Sequence, residues 1–192
     1  MNKRFWFLCV LVFIFLLSAC GKKEIENAVN WPIKDFTATT QQNKQIGLKD
    51  LKGKVWVSAF IFTSCADVCP PMTANMVKLQ KKLKEENLTN VELVSFSVDP
   101  TIDTPEVLTN YAKQFGVEFN NWTFLTGYSQ QFIEKFAAES FKTIVKKPVG
   151  GNQVIHQTYL YLVDQEGNIK KTYSGYKNVP YDEIINDIKT LQ

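Results

Sequence analysis

The sequence predicts an α/β domain in which parallel strands alternate with helices. Three apolar segments of strand length, at 55–62, 91–98 and 122–126, are each followed by a helical pattern. Strand–helix–strand units imply parallel pairing with right-handed crossovers. Segments with hairpin character before and after these units add antiparallel strands to the sheet.

The helices are predicted from their first residues and their apolar spacing. Pro70 and Pro71 suit the first turn of a helix, where a missing amide proton does no harm, and apolar residues then recur at helical spacing. A second helix has Asp103 or Thr104 as its cap and Pro105 just inside its start, and it ends at Gly116. Ser129 caps a third helix.

Two hairpins flank this α/β core. The first joins 36–40 to 45–48, the second joins 158–163 to 169–173, and a helix over 181–191 closes the chain. This order of elements is that of a thioredoxin-like fold with an additional N-terminal β-hairpin. In such a fold, the junction of the first long strand with its helix is a site for a dithiol.

Length and composition are those of one globular domain behind a leader. The chain has 192 residues, and its 45% hydrophobic and 13% aromatic content supplies a core and excludes global disorder. The formal net charge of +3 includes Lys3 and Arg4, and removing these two charges leaves +1 for 20–192. A balance so near neutrality gives no argument for nucleic acid as a partner.

Residues 1–19 have the features of a lipoprotein signal peptide. Two basic residues precede an apolar run over 5–17, which is shorter than the roughly 20 residues of a membrane-spanning helix. Residues 17–20, Leu-Ser-Ala-Cys, resemble a bacterial lipobox, whose cysteine becomes the lipidated mature terminus. An uncleaved anchor is the alternative, and both place the domain on the extracytoplasmic face of the cell membrane. The polar segment 20–30 is then a lipidated tether before a domain at 31–192.

The sequence contains few cysteine and histidine side chains that could bind a metal. Cys9 lies in the leader, and Cys20 would carry acyl chains such as palmitate. The remaining cysteines, Cys65 and Cys69, form one dithiol, and His156 is the single histidine. Residues four apart at a helix start have Cβ atoms about 5–6 Å apart, which suits a shared metal or a mutual disulfide bond. Two thiolates and one imidazole are ligands for a thiophilic metal, copper first and zinc second.

The position of His156 bears on this site. In a thioredoxin-like fold the loop before the strand that begins near Thr158 faces the dithiol, so His156 is expected beside Cys65 and Cys69. A surface or hydrogen-bonding role is the alternative for the histidine. For the cysteines, the alternative is a pair of buried free thiols or an inert disulfide.

Three separated motifs resemble the Sco/SenC family. They are Cys-x-x-x-Cys-Pro at 65–70, Asp-Pro-x-x-Asp-Thr-Pro at 99–105, and Val-x-His at 154–156 before a strand at 159–164. Proteins of this family are thioredoxin-like copper-binding factors for the assembly of cytochrome c oxidase. The similarity covers roughly 32–191.

The resemblance implies that Cys65, Cys69 and His156 bind copper as Cu(I) and Cu(II). It also implies delivery of copper to the binuclear centre of cytochrome c oxidase subunit II, or redox preparation of that centre, with a thiol reductant as a further partner. Many relatives carry a proline where this chain has Ala66. That change alters the rigidity of the turn and leaves the three ligands in place.

The main alternative is a membrane-anchored, extracytoplasmic thiol–disulfide oxidoreductase with Cys65 and Cys69 as its redox pair. Enzymes of that kind typically have a two-residue spacer and a proline before the facing strand, whereas this spacer has three residues and 154–158 contains no proline. A peroxiredoxin motif fails because Thr63 is only two residues before Cys65. An inert scaffold lipoprotein would leave the three motifs unexplained.

The sequence leaves a fourth copper ligand open. Met72 follows the dithiol closely but shares a helical stripe with Met76, which favours core packing for both. Asp67 lies between the cysteines and is either a partner contact or simply exposed. Asp99 and Asp103 are predicted to shape a turn and a helix cap, with a recognition role as the alternative.

Overall fold

The computed structural model describes residues 24–192. The predicted signal peptide and the predicted lipidation site at Cys20 lie outside the described residues. Within 24–192, no helix combines the length and apolar character needed to cross a membrane.

Ten strands and five helices make up the described part of the chain. The strands are β1 (Trp31–Pro32), β2 (Thr37–Thr40), β3 (Gln45–Gly47), β4 (Val55–Ile61), β5 (Val91–Ser97), β6 (Trp122–Thr126), β7 (Val145–Lys146), β8 (Ile155–His156), β9 (Tyr159–Val163) and β10 (Asn168–Ser174). The helices are α1 (Leu48–Leu51), α2 (Cys69–Glu85), α3 (Pro105–Gln114), α4 (Gln130–Phe141) and α5 (Tyr181–Leu191).

Eight of the strands form one mixed sheet in the order β1-β10-β9-β4-β5-β6-β2-β3, and β7 pairs with β8 separately. β4, β5 and β6 are parallel, and the other pairings are antiparallel. The hairpin β2–β3 extends the sheet beyond β6, as the additional N-terminal hairpin of the prediction requires. The architecture is therefore the predicted thioredoxin-like α/β fold.

The central strand β4 is buried on both faces, as parallel strands covered by helices are. Its alternate residues contribute to two separate core clusters, one of which contains apolar residues of α2, α3 and α5. The other contains Trp56 and Phe60 together with residues of α4. Met72 and Met76 are almost fully buried in the first cluster, so the prediction that they are core residues is confirmed.

The structure also contains short elements that the sequence did not predict. Leu48 was expected at the end of a strand but begins α1, because the backbone N–H of Gly47 donates to the Asp50 carboxylate at 2.8 Å and starts a helical turn. The two-stranded ribbon β7–β8 lies in the region that the sequence predicted as the loop before the strand beginning near Thr158. Ile25, within the predicted tether, is buried in the first core cluster.

Candidate metal centre

The two cysteines lie where β4 passes into α2. β4 ends at Ile61, a turn follows, and Cys69 is the first residue of α2. The backbone N–H of Cys69 donates to the Sγ atom of Cys65 at 3.4 Å. Both thiols are buried and free of a disulfide bond. Because the amino end of a helix carries partial positive charge, this position favours a thiolate at Cys65.

His156 lies on β8, and its imidazole reaches the dithiol. Its Nε2 atom is 3.4 Å from the Sγ atom of Cys69. The imidazole also packs edge-on against Phe62, with ring centroids 5.7 Å apart. The structure thus brings His156 and the dithiol together, as the sequence predicted.

The hydrogen bond on the other side of the imidazole sets the chemistry of Nε2. The Nδ1 atom of His156 is 2.9 Å from the carbonyl oxygen of Gln157. A carbonyl oxygen only accepts hydrogen bonds, so Nδ1 carries a proton. With Nδ1 bonded in this way, Nε2 is the ring nitrogen left to face the cysteines and to bind a metal ion, which is how second-sphere contacts prepare metal-binding histidines.

The two thiols differ in acidity. Burial raises the pKa of Cys65, but hydrogen bonds with His156, Cys69 and the backbone of Asp67 outweigh it and lower the pKa to about 6. Burial and the hydrogen bond with Cys65 both raise the pKa of Cys69 well above its ordinary value. Near neutral pH the pair therefore holds one thiolate at Cys65 and one thiol at Cys69.

These three side chains supply two sulfurs and one nitrogen. This donor set suits copper first and zinc second. With metal bonds of roughly 2.3 Å to sulfur and 2.0 Å to nitrogen, two tetrahedral ligands lie about 3.5 Å apart. The separation of 3.4 Å between Cys69 and His156 has that magnitude. Across 24–192, no three His, Cys, Asp or Glu side chains are already gathered around a common metal position.

Two aspartates beside the site have contacts that sequence reasoning missed. Of the two capping candidates, Thr104 caps α3 and accepts the N–H of Val107 at 3.3 Å. The Asp103 carboxylate instead accepts the backbone N–H of Thr63 at 3.2 Å and its hydroxyl at 2.6 Å. Asp99 forms an ion pair with Lys147 at 2.7 Å. No periodic pattern links such distant residues, so the sequence offered no signal for these contacts.

A thioredoxin-like domain with a dithiol and a histidine at one end of its sheet is the class of protein that this fold and site define. The chain belongs to the SCO1/SenC family, whose model matches residues 27–192. Among curated relatives, the SCO1 protein homolog of Bacillus subtilis is 52% identical over 180 residues, covering 94% of this chain and 92% of the relative.

Solved structures give the same relationship. A SCO1/SenC family lipoprotein from Bacillus anthracis is 52% identical with a TM-score of 0.84, covering 87% of this chain and 98% of that one. BsSco, described as a member of the Sco family of cytochrome c oxidase assembly proteins with a disulfide switch, is 51% identical with a TM-score of 0.82, covering 88% and 98%. Arabidopsis thaliana ScoI with copper bound is 29% identical with a TM-score of 0.68, covering 82% and 96%.

Proposed function

We propose that this chain is a copper-binding factor for the assembly of cytochrome c oxidase. The observation that carries the proposal is the proximity of the imidazole to the dithiol, with His156 Nε2 3.4 Å from Cys69 Sγ and the Cys69 N–H bonded to Cys65 Sγ. A relative with copper bound and a relative described as an oxidase assembly protein support it.

Cys65, Cys69 and His156 are the proposed copper ligands, and copper is the cargo rather than a resident cofactor. Cys65 offers a thiolate near neutral pH, because its pKa is lowered to about 6. Cys69 would lose its proton on binding, so loading should release protons. Thiolates favour Cu(I), and the imidazole serves both Cu(I) and Cu(II).

The proposed target is the binuclear copper centre of cytochrome c oxidase subunit II. A donor for such a centre must be held at the membrane surface, and the lipobox-like segment before Cys20 would provide a lipid anchor. The similarity to a lipoprotein of the same family supports this anchor. Mass spectrometry of the mature protein tests it, since an acylated Cys20 should form the amino terminus and Cys20→Ala should abolish the modification.

Competition with a chromogenic Cu(I) chelator tests copper binding. The reduced protein should take one equivalent of Cu(I) from the chelator. Cys65→Ala and Cys69→Ala should each remove most of this binding, because the mature domain has no further thiol. Asp67→Asn is a matched control in the same turn, since its side chain is exposed. Retention of full affinity without either cysteine would overturn the proposal.

The differing acidities of the two thiols favour a second activity, reduction of a disulfide bond in the target. The Cys65 thiolate would attack one sulfur of that disulfide, forming a mixed disulfide and releasing the other sulfur as a thiolate. Cys69, after losing its proton, would attack the Sγ atom of Cys65, closing a Cys65–Cys69 disulfide and releasing the second target thiol. An external thiol reductant would then restore the dithiol.

A disulfide between the copper-acceptor cysteines of isolated subunit II is the substrate that tests this activity. One equivalent of reduced protein should yield two target thiols and one Cys65–Cys69 disulfide. Cys69→Ala should stop at the mixed disulfide, because the resolving thiol is missing. Absence of both products would leave copper binding as the sole proposed role of the dithiol.

A further inference from the structure

The turn at 99–103, between β5 and α3, contacts two segments that lead to the cysteine–histidine site: Thr63, before the dithiol (the cysteine half), and Lys147, before His156 (the histidine half). The carbonyl oxygen of Asp99 accepts the N–H of Ile102 at 3.0 Å and that of Asp103 at 2.9 Å. The Ser97 hydroxyl accepts the N–H of Asp99 at 3.1 Å and donates to the Asp103 carboxylate at 2.5 Å. These bonds close the turn and fix the Asp103 carboxylate to the end of β5.

Asp103 holds the cysteine half. Its side chain is fully buried, and its carboxylate accepts the N–H and the hydroxyl of Thr63 in addition to the Ser97 hydroxyl. Thr63 lies two residues before Cys65, where the chain has just left β4. A buried carboxylate is costly unless its oxygens accept hydrogen bonds, so the Thr63 contact opposes displacement of this turn.

Asp99 contacts the histidine half through Lys147. Its carboxylate is 1% exposed and pairs with the Lys147 ammonium at 2.7 Å. Lys147 follows β7 at the start of the connection to β8, the strand that carries His156. Its backbone N–H also donates to the Glu134 carboxylate of α4 at 3.0 Å. The connection is therefore held from two sides where it begins.

We propose that Asp103 and Asp99 are positioning residues that together set the separation between the dithiol and His156, with Asp103 acting through Thr63 and Asp99 through Lys147. The consequence for metal binding rests on the proposed copper function. Because both carboxylates belong to one hydrogen-bonded turn, the two halves share a single reference point. Ligands held in this way lose less freedom on binding, which preorganises the site.

Neither the closure of the turn nor the capping of α3 depends on the carboxylates of Asp99 and Asp103. Backbone hydrogen bonds close the turn, and Thr104 caps α3. Yet both aspartates are almost completely buried, and each carboxylate is directed to a segment that carries a proposed ligand. Asp99 also accepts the Thr101 hydroxyl at 3.0 Å and Asp103 accepts that of Ser97, so each carboxylate links the turn itself to one of those two segments.

Hydrogen exchange of the reduced, metal-free protein, followed by mass spectrometry, tests the positioning without copper. Thr63→Val should speed exchange in 62–69 by about tenfold, the effect of losing one buried hydrogen bond, and leave 147–156 unchanged. Lys147→Met should speed exchange in 147–156 and leave 62–69 unchanged. Thr63→Ser and Lys147→Arg, which keep the hydroxyl and the charge, should restore the parent pattern. Unchanged exchange, or an equal rise throughout the domain, would overturn the proposal.

Copper binding in a double-mutant cycle tests the consequence for the site. Lys147→Met should weaken Cu(II) binding by about tenfold and shift its spectrum, but cause less than a twofold change when His156→Ala is already present. Thr63→Val should weaken binding in both backgrounds, because it acts on the dithiol. Equal losses from Lys147→Met in both backgrounds would contradict the assignment. A parent that bound no copper would refute the proposed function, while hydrogen exchange would still decide the positioning.

Discussion

The Nε2 atom of His156 lies 3.4 Å from the Sγ atom of Cys69, although 87 positions separate these residues in the chain. The topology of the sheet explains why these two residues are close in space. β4 and β9 are adjacent and antiparallel, so the turn that leaves β4 and the segment that enters β9 lie at the same end of the sheet. The fold thus places a histidine beside a dithiol without requiring any local sequence motif to contain both.

The first prediction concerns the reactivity of Cys65. Alkylation by iodoacetamide requires the thiolate, so its rate at Cys65 should rise with pH and reach half its maximum at about 6. Below that pH the thiol is protonated and the rate should fall. His156→Ala should move the midpoint upward, because the histidine hydrogen bond helps to lower the pKa. Peptide mass spectrometry gives the rate at each cysteine separately, and a parent midpoint near 9 would contradict the prediction.

The regular elements and the meeting of Cys65, Cys69 and His156 followed from sequence because they depend on long periodic segments and their order. Elements such as β1, α1 and the β7–β8 ribbon contain two to four residues, too few to show a period. The contacts of Asp99 and Asp103 depend on how a turn is oriented in three dimensions, which a single sequence does not encode as a pattern.

The second prediction separates core packing from copper ligation at Met72. Its side chain is fully buried in the cluster beneath α2. Met72→Ala should therefore lower the free energy of unfolding by about 2–5 kcal/mol, and Met72→Leu by less than about 1.5 kcal/mol. Denaturant unfolding of the metal-free protein measures both. Both variants should still bind one equivalent of copper, and a stable Met72→Leu variant that had lost copper would instead make Met72 a ligand.

The third prediction is that a Cys65–Cys69 disulfide prevents copper loading. A disulfide offers no thiolate, so calorimetric titration should show tight binding to the reduced protein and little to the oxidised one. Copper should also raise the melting temperature of the reduced form alone, since a ligand that binds the native state stabilises it. Cys65→Ala, which cannot close this disulfide, should bind equally weakly before and after oxidation. Equal copper affinity in the reduced and oxidised parent would refute the prediction.

The Cu(II) spectrum of the reduced protein, recorded beside that of His156→Ala at one equivalent of copper, tests most directly whether the dithiol and the histidine bind one ion. Two thiolate ligands should give the parent intense sulfur-to-copper charge-transfer absorption. The variant should bind Cu(II) more weakly, with a shifted spectrum, because the nitrogen ligand that suits Cu(II) has been removed. Identical spectra and affinities for the two proteins would show that His156 is not a ligand.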